Sequence, residues 1–402
     1  MKEQDRTYQY KYENIVYALV LIIGLFFCSK ALPVENRLTF INYAGSLLLS
    51  MSCIYLSEIV ENKKISFLLF WIGIAIIGFH MAFRVPDSYD DDDYRRLFNK
   101  AENINLWDYF KVSGQEKGYL FLNWILYRWL DGDYNYFQVT ITYFTFILWG
   151  IGIRNNGKKD GNEMWMVLFL WSHYYFFVIN AGLVRIFMAL PLVLIGIQYI
   201  WKDKWKLFTI CVILASLLHM SSLVMLLFLI FHLRQKFFYK NWIAFVFLTL
   251  FIVIFSLITM ARYLVPVLGE RYEGYGNVDS MSLSTGSFTT LPIWLACYYY
   301  FKNLPKVTEE YRKKYTIGMI LLSLSIIFSI ATTMVHVGRI IYYAYLGMLI
   351  VIPAIFQLKT RNAEELVLKC LLVIYSLVYV MITNMLNKYQ TELFPYETFL
   401  NE

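Results

Sequence analysis

The chain has 402 residues, of which 59% are hydrophobic and only 16% are charged. A soluble protein would carry about 25% charged residues, so this composition excludes an ordinary soluble enzyme. The net charge of +7 gives no indication of nucleic-acid binding, and the five cysteines have neither metal-ligand nor disulfide spacing.

Long apolar runs recur along the whole chain and predict a polytopic bundle of transmembrane α-helices. A run of about 20 residues crosses a hydrocarbon core of roughly 30 Å, so we expect about 12–13 spans in one all-α membrane domain over residues 1–402. The predicted spans are 15–29, 38–57, 65–83, 134–153, 163–180, 182–201, 206–231, 241–262, 287–301, 315–333, 338–356 and 366–386.

Short clusters of lysine and arginine between the spans predict the orientation, because basic loops stay in the cytoplasm. They place the N-terminus inside, and they place a large loop (84–133) and a second loop (263–286) outside. Residues 206–231 have basic clusters on both sides. This predicts a hairpin of two short helices that turns at Leu218–Ser222, with His219 at its outer tip.

The 84–133 loop is the one long polar interruption of the chain, and five of its aspartates lie between Asp87 and Asp93. These carboxylates could bind a divalent cation through hard oxygen ligands. Alternatively, they form a solvated face with one or two carboxylates turned inward. We favour the second interpretation, with Asp87, beside Pro86 at the membrane edge, turned inward. We expect no metal ion.

Glu116 opens an apolar stretch of about twelve residues that ends at Arg128 and is too short to cross the membrane. The stretch predicts a re-entrant or interfacial helix, with Gly118 permitting a tight approach. Glu116 then lies at the first turn, where the helix dipole favours a carboxylate. The alternative is a helix-start carboxylate without a catalytic role.

Three arginines near the outer ends of spans could bind an anion. Arg185 lies a few residues inside a span, where a charge normally faces the bundle interior with a partner. Arg84 ends the third span, and Arg339 begins a later span with His336 three residues before it. The guanidinium fork suits phosphate oxygens, although side chains that extend to the interface would explain the same positions.

His219 is the best candidate among the histidines, because Ser221 and Ser222 follow it between apolar stretches. A neutral imidazole there could act as a general base or orient a hydroxyl, and the alternative is a packing residue. Tyr119 and Tyr343 near the outer ends would suit sugar rings, although interfacial aromatic belts explain many tyrosines.

Five short motifs in a fixed order resemble those of the bacterial repeat-unit polymerases of O-antigen and exopolysaccharide synthesis (the Wzy type, EpsG-like branch). The resemblance covers nearly the whole chain, and one departure is the Ile that follows Arg185. The motif residues are Arg84/Asp87/Tyr94/Phe98, Glu116/Gly118/Tyr119, Asn180/Arg185, His219/Ser221 and Arg339/Tyr343.

The resemblance implies a membrane glycosyltransferase with a GT-C-like helical fold in the bacterial inner membrane and its site on the outer face. It would transfer a growing glycan from undecaprenyl pyrophosphate to the non-reducing end of a lipid-linked repeat unit. Arg185 and Arg339, supported by Arg84, would stabilise the pyrophosphate. Asp87, Glu116 and His219 are the candidate bases.

We therefore expect an inverting, metal-independent reaction without a cofactor. The expected partners are undecaprenyl-pyrophosphate-linked oligosaccharides, membrane lipids and a chain-length regulator, but no nucleic acid. A repeat-unit flippase is the main rival function, yet such a transporter would be expected to show two similar halves, and the sequence has no internal repeat. An O-antigen ligase and a membrane O-acyltransferase using His219 are rival enzymatic functions.

Overall fold

The computed structural model describes residues 3–86, 90–112, 114–157, 163–175, 183–229, 241, 243, 290–302, 309–332, 340–357, 360, 362–385 and 398–401. Within these ranges the chain is helical and has no strand, which confirms the all-α class. A single antiparallel bridge in the described part joins Arg84 to Thr398.

The α-helices are numbered in chain order over the described residues. They are α1 (Glu3–Ala31), α2 (Val34–Ile59), α3 (Lys63–Phe83), α4 (Asp91–Asn99), α5 (Leu106–Val112), α6 (Lys117–Trp129), α7 (Tyr134–Gly157), α8 (Glu163–Leu170), α9 (Val184–Trp201), α10 (Trp205–Ser216), α11 (Leu291–Lys302), α12 (Glu309–Thr332), α13 (Ile341–Gln357) and α14 (Ala363–Val380). Single π-helical turns extend α8 and α14, over Trp171–Tyr175 and Met381–Met385.

Six helices in the described ranges are long and apolar enough to cross a membrane, which confirms a multi-pass membrane protein. They cover Tyr12–Ala31, Val34–Ile59, Lys63–Phe83, Tyr134–Gly157, Val184–Trp201 and Ala363–Thr383. The predicted total of spans stays a prediction, because the predicted span 241–262 and the predicted second outer loop 263–286 lie outside the described residues.

The membrane helices turn apolar side chains outward as well as inward. Phe27, Phe67 and Ile22 are 65%, 58% and 49% exposed, whereas Leu47 and Phe70 are fully buried. A surface of this kind would make a soluble protein aggregate, but it matches a hydrocarbon solvent.

Helix pairs approach closely where small residues face each other, as is usual inside membranes. In the α2–α3 pair, the Ser50 hydroxyl donates to the Gly73 carbonyl at 2.7 Å. In the α12–α13 pair, Gly347 lies against backbone: a Cβ there would be 2.6 Å from both the Gly318 oxygen and the Leu322 nitrogen. These two contacts leave no room for a side chain.

A buried polar cluster ties the first helix to the last long one. Lys369 of α14 is fully buried, with its Nζ 3.1 Å from the Thr360 hydroxyl and 3.7 Å from the Glu13 carboxylate. Thr360 in turn donates to Glu13 at 2.6 Å. Lys369 is therefore an internal ion-pair partner that joins α14 to α1.

The predicted hairpin is present, and its turn positions the site described below. Helix α10 has 12 residues, about 18 Å, which is too short to cross the membrane. The chain turns at Leu217–His219 and returns as a 3₁₀-helix, Met220–Phe228, so that the Ser222 hydroxyl contacts the Val212 carbonyl at 3.4 Å. The second of the two predicted short helices is thus a 3₁₀-helix, and it begins at Met220, inside the predicted turn Leu218–Ser222.

We predict that Gly347→Ala lowers the stability of the protein by about 1–3 kcal/mol, because the new methyl group would push α12 and α13 apart. The measurement is the thermal unfolding midpoint in detergent. Gly45→Ala in α2 is the matched control, since a Cβ there meets nothing within 4 Å. Equal midpoints for the two variants would contradict the close α12–α13 contact.

Candidate active site

An ion pair between Arg185 and Glu116 is the centre of the candidate site. Arg185 lies in the first turn of α9, and Glu116 directly precedes α6. The Arg185 Nη1 donates to Glu116 Oε2 at 2.5 Å, and it also donates to the Gln115 side-chain oxygen. The two charged side chains are only 12% and 18% exposed. The structure therefore places two predicted site residues, 69 positions apart, in direct contact.

Tyr94 of α4 also contacts the Arg185 guanidinium. The Arg185 Nε donates to the Tyr94 hydroxyl at 3.4 Å, and the guanidinium carbon lies 5.8 Å from the centre of that ring. The Tyr94 ring packs edge-on against Tyr119 at 5.7 Å between centroids. Amide, carboxylate and aromatic groups together fix the direction of the arginine.

The second oxygen of Glu116 binds the tip of the hairpin. Met220 donates its backbone N–H to Glu116 Oε1 at 3.1 Å. Burial raises the pKa of the Glu116 carboxyl, but the Arg185 guanidinium, the Met220 N–H and the nearby His219 outweigh burial and hold that pKa below its usual range. Glu116 is therefore ionised at neutral pH and is a weak base in this state.

Glycine at position 118 explains how α6 reaches the hairpin. A Cβ at Gly118 would lie 2.7 Å from the Leu217 carbonyl oxygen, so no larger residue fits without displacing the turn. The next residue, Tyr119, donates its N–H to that same oxygen at 3.1 Å. The predicted tight approach at Gly118 is thus present, and it places Glu116 beside His219.

His219 contacts the membrane helix α13 through a tyrosine hydroxyl. Its Nδ1 lies 3.3 Å from the Tyr343 hydroxyl, and the two side chains belong to residues that are 5% and 0% exposed. The fully buried Ser222 is also within hydrogen-bonding reach of Tyr343. One ring nitrogen of His219 is therefore oriented by the protein, as a proton-transferring imidazole requires.

Two predicted substrate-binding tyrosines have a different role in the structure. Tyr119 and Tyr343 are both 0% exposed. Their rings lie against Tyr94 and His219 respectively, inside the packed core. In this conformation neither ring presents a face to a ligand, and the expectation that these rings receive sugar stays a prediction. They support the side chains that line the site.

Arg84 also differs from its predicted role. Its guanidinium holds Asp91 with two bonds, at 2.6 and 3.0 Å, and the two side chains are 7% and 1% exposed. This geometry fastens the end of α3 to the start of α4 and leaves the arginine buried against a carboxylate. In this conformation Arg84 therefore binds Asp91, and its assignment to the support of a pyrophosphate stays a prediction.

The aspartate run has an inward carboxylate, as the favoured interpretation expects, and among the described residues it is Asp91. Asp92 and Asp93 are exposed, but Asp91 is buried and pairs with Arg84. The spacing of residues in the sequence could have indicated that Asp91 is buried. Residues three and four apart lie together on a helix, and the buried face of α4 comprises Asp91, Tyr94, Leu97 and Phe98. Gln115 was likewise missed, because a single amide before a helix has no pattern.

Three predicted site residues lie outside the described residues: Asp87, His336 and Arg339. Their assignment as an inward carboxylate, a neighbouring histidine and a second anion-binding arginine stays a prediction. The described part of the site consists of Arg185, Glu116, Gln115, Tyr94 and His219 with their supports.

A model of the EpsG family matches residues 67–398. The chain belongs to the EpsG family. All five of these site residues fall within the matched range, whereas α1, α2 and the first four residues of α3 precede it. Membership makes the protein a membrane protein of polysaccharide biosynthesis. Comparisons with curated proteins and with solved structures gave no match.

We predict that Asp91→Asn in this EpsG-family protein lowers its stability by about 3–5 kcal/mol, because the Arg84 charge would remain buried without a counter-charge. The measurement is again thermal unfolding in detergent. Asp93→Asn is the control: its pair with Arg96 is equally short, 2.6 Å, but 73–74% exposed, and should contribute less than about 1 kcal/mol. If both variants unfold at the same temperature, the buried Arg84–Asp91 pair does not stabilise the contact between α3 and α4.

Proposed function

We propose that this EpsG-family protein polymerises lipid-linked oligosaccharide repeat units on the outer face of the bacterial cytoplasmic membrane. A hydroxyl oxygen at the non-reducing end of one lipid-linked unit forms a bond to the anomeric carbon of the growing glycan. The bond from that carbon to the pyrophosphate of the donor breaks. Undecaprenyl pyrophosphate leaves with the electron pair, and the hydroxyl proton passes to a base.

The observation that carries this proposal is a partly buried arginine held beside a histidine at the tip of a hairpin that does not cross the membrane. The leaving pyrophosphate develops negative charge, and a fixed cation at a site of low dielectric stabilises that charge strongly. The described contacts of Arg185 use Nη1 and Nε, and a guanidinium has five N–H donors. Phosphate oxygens could therefore bind while Glu116 keeps the side chain in place.

His219 is the base that this arrangement favours. Glu116 already accepts from Arg185 and Met220, which weakens it as a proton acceptor. If Nδ1–H of His219 donates to the Tyr343 oxygen, the lone pair on Nε2 can accept the proton of the attacking hydroxyl. Glu116 then acts through Arg185, as the residue that orients it. Asp87 remains the alternative base.

Direct displacement inverts the anomeric carbon and needs no covalent glycosyl-enzyme. With the charge neutralised by Arg185, and by Arg339 if it also faces the site, the reaction requires no metal ion. Detection of a glycosyl-enzyme adduct from the donor alone would count against direct displacement.

We predict that Arg185→Lys and Arg185→Ala both abolish polymer in a deletion strain while protein in the membrane stays near the wild-type level. Lysine keeps the charge but loses the fork that holds Glu116, Gln115 and phosphate together. The measurement is the length distribution of surface glycan. Arg96→Ala serves as control, because the Arg96 side chain is 74% exposed and its charge pairs with exposed Asp93.

The deletion strain itself separates the proposal from its rivals. A polymerase deletion leaves glycans of a single repeat unit at the surface. Loss of all surface glycan indicates a flippase or a ligase, and full-length chains without acyl groups indicate an acyltransferase. Wild-type chain lengths from Arg185→Ala would show that this arginine has no part in polymerisation.

A further inference from the structure

A strip of apolar side chains faces outward at the tip of the hairpin, directly beside the polar site. We call Leu217, Met220, Leu223 and Leu227 the tip strip; they are 45%, 66%, 38% and 40% exposed. The opposite face of the same 3₁₀-helix, at a spacing of three residues, is buried, and it comprises Ser222, Met225 and Phe228. The exposed side of the returning arm carries Met220, Leu223 and Leu227, and Ser221 is a half-buried polar residue on that side.

The tip strip begins next to the arginine. The carboxylate of Glu116 accepts the Met220 N–H on one oxygen, at 3.1 Å, and the Arg185 Nη1 on the other, at 2.5 Å. A single carboxylate therefore joins the guanidinium to the backbone of the first residue of the 3₁₀-helix. From there the exposed side continues through Leu223 to Leu227, which lies about a third of a turn further round, for about 14 Å along the axis at roughly 2 Å per residue.

The length of α10 indicates that the strip also lies at the depth of the hydrocarbon. Helix α10 rises about 18 Å from its start, so its turn stops within the thickness of the bilayer. A cation followed by an exposed apolar strip at this depth is complementary to an amphipathic lipid with an anionic head. Phosphate would occupy the arginine end, and the chain attached to that phosphate would lie along the leucines.

We propose that the tip strip holds the first isoprene units of the polyprenyl tail of the lipid-linked substrate. This inference rests on the proposed function and deepens it, because it assigns the direction in which the lipid tail extends from the bound pyrophosphate. Because lipid surrounds the leucines as well as the tail, van der Waals packing between them, and not removal of water, would hold the tail on the strip. Ordinary membrane lipid is the competing occupant.

The test measures polymerisation by the full-length protein in liposomes, with two synthetic repeat-unit substrates. One carries the full polyprenyl tail, and the other carries a single isoprene unit, too short to reach Leu227. We expect Leu223→Ser and Leu227→Ser each to raise KM for the long-tailed substrate about threefold, because van der Waals contacts between the leucine and the tail are lost. Leu227→Ser should leave KM for the short-tailed substrate at the wild-type value.

Ile210→Ser is the matched control. Ile210 is 52% exposed on α10 but lies seven residues before Leu217, about 10 Å along the helix and away from Glu116. Its KM for both substrates should equal that of the wild type. A benzophenone side chain at position 227, but not at 210, should also cross-link to radiolabelled undecaprenyl pyrophosphate, whereas bulk lipid would leave both positions unlabelled.

Three outcomes overturn the inference. If the wild type polymerises but the strip variants behave like Ile210→Ser, the tail lies elsewhere and the proposed function stands. If Leu227→Ser raises KM for both substrates equally, the strip acts only by supporting the site. If the wild type forms no polymer from either substrate, the proposed function fails together with the inference.

Discussion

The pair between Arg185 and Glu116 is the interaction on which the rest of the site depends. A charge in a membrane helix must face a partner or a polar cavity, because hydrocarbon offers it no hydration. Glu116 supplies the partner from a segment that does not cross the membrane. The arginine is thereby held as a cation in the first turn of α9, with its side chain still 12% exposed.

Two short segments make this possible. Helix α6 has 13 residues and α10 has 12, and neither is long enough to span the bilayer. They meet at the Leu217 turn, where Gly118 leaves space for the contact and Tyr119 donates to the Leu217 carbonyl. A full crossing at either place would move Met220 and His219 away from Glu116. The turn is therefore the structural reason that cation and imidazole share one site.

Much of this site could be predicted from the sequence, because its chemistry is unusual for its surroundings. An arginine inside an apolar run and a histidine within a short hairpin are both conspicuous against hydrocarbon. The short stretch after Glu116 was also informative, since length alone forbids a crossing. The hairpin followed from the two basic clusters on its flanks.

Other parts of the site could not be predicted from residue type, because they depend on packing. The carboxylate that pairs with Arg84 is Asp91, and only the helical phase of α4 distinguishes it from its exposed neighbours. Tyr119 and Tyr343 are buried supports although their sequence positions suit an interface. A backbone N–H, that of Met220, holds Glu116, and no sequence pattern marks such a donor.

The central claim is that this one chain joins lipid-linked repeat units at the Arg185 site. The most direct measurement uses purified protein in liposomes with a single synthetic undecaprenyl-pyrophosphate-linked repeat unit, followed by separation of the products with and without a chelator. The account predicts a ladder of polymers and released undecaprenyl pyrophosphate, unaffected by chelator and absent with Arg185→Ala. Unchanged monomer with the wild-type protein, or an equal ladder with Arg185→Ala, would contradict it.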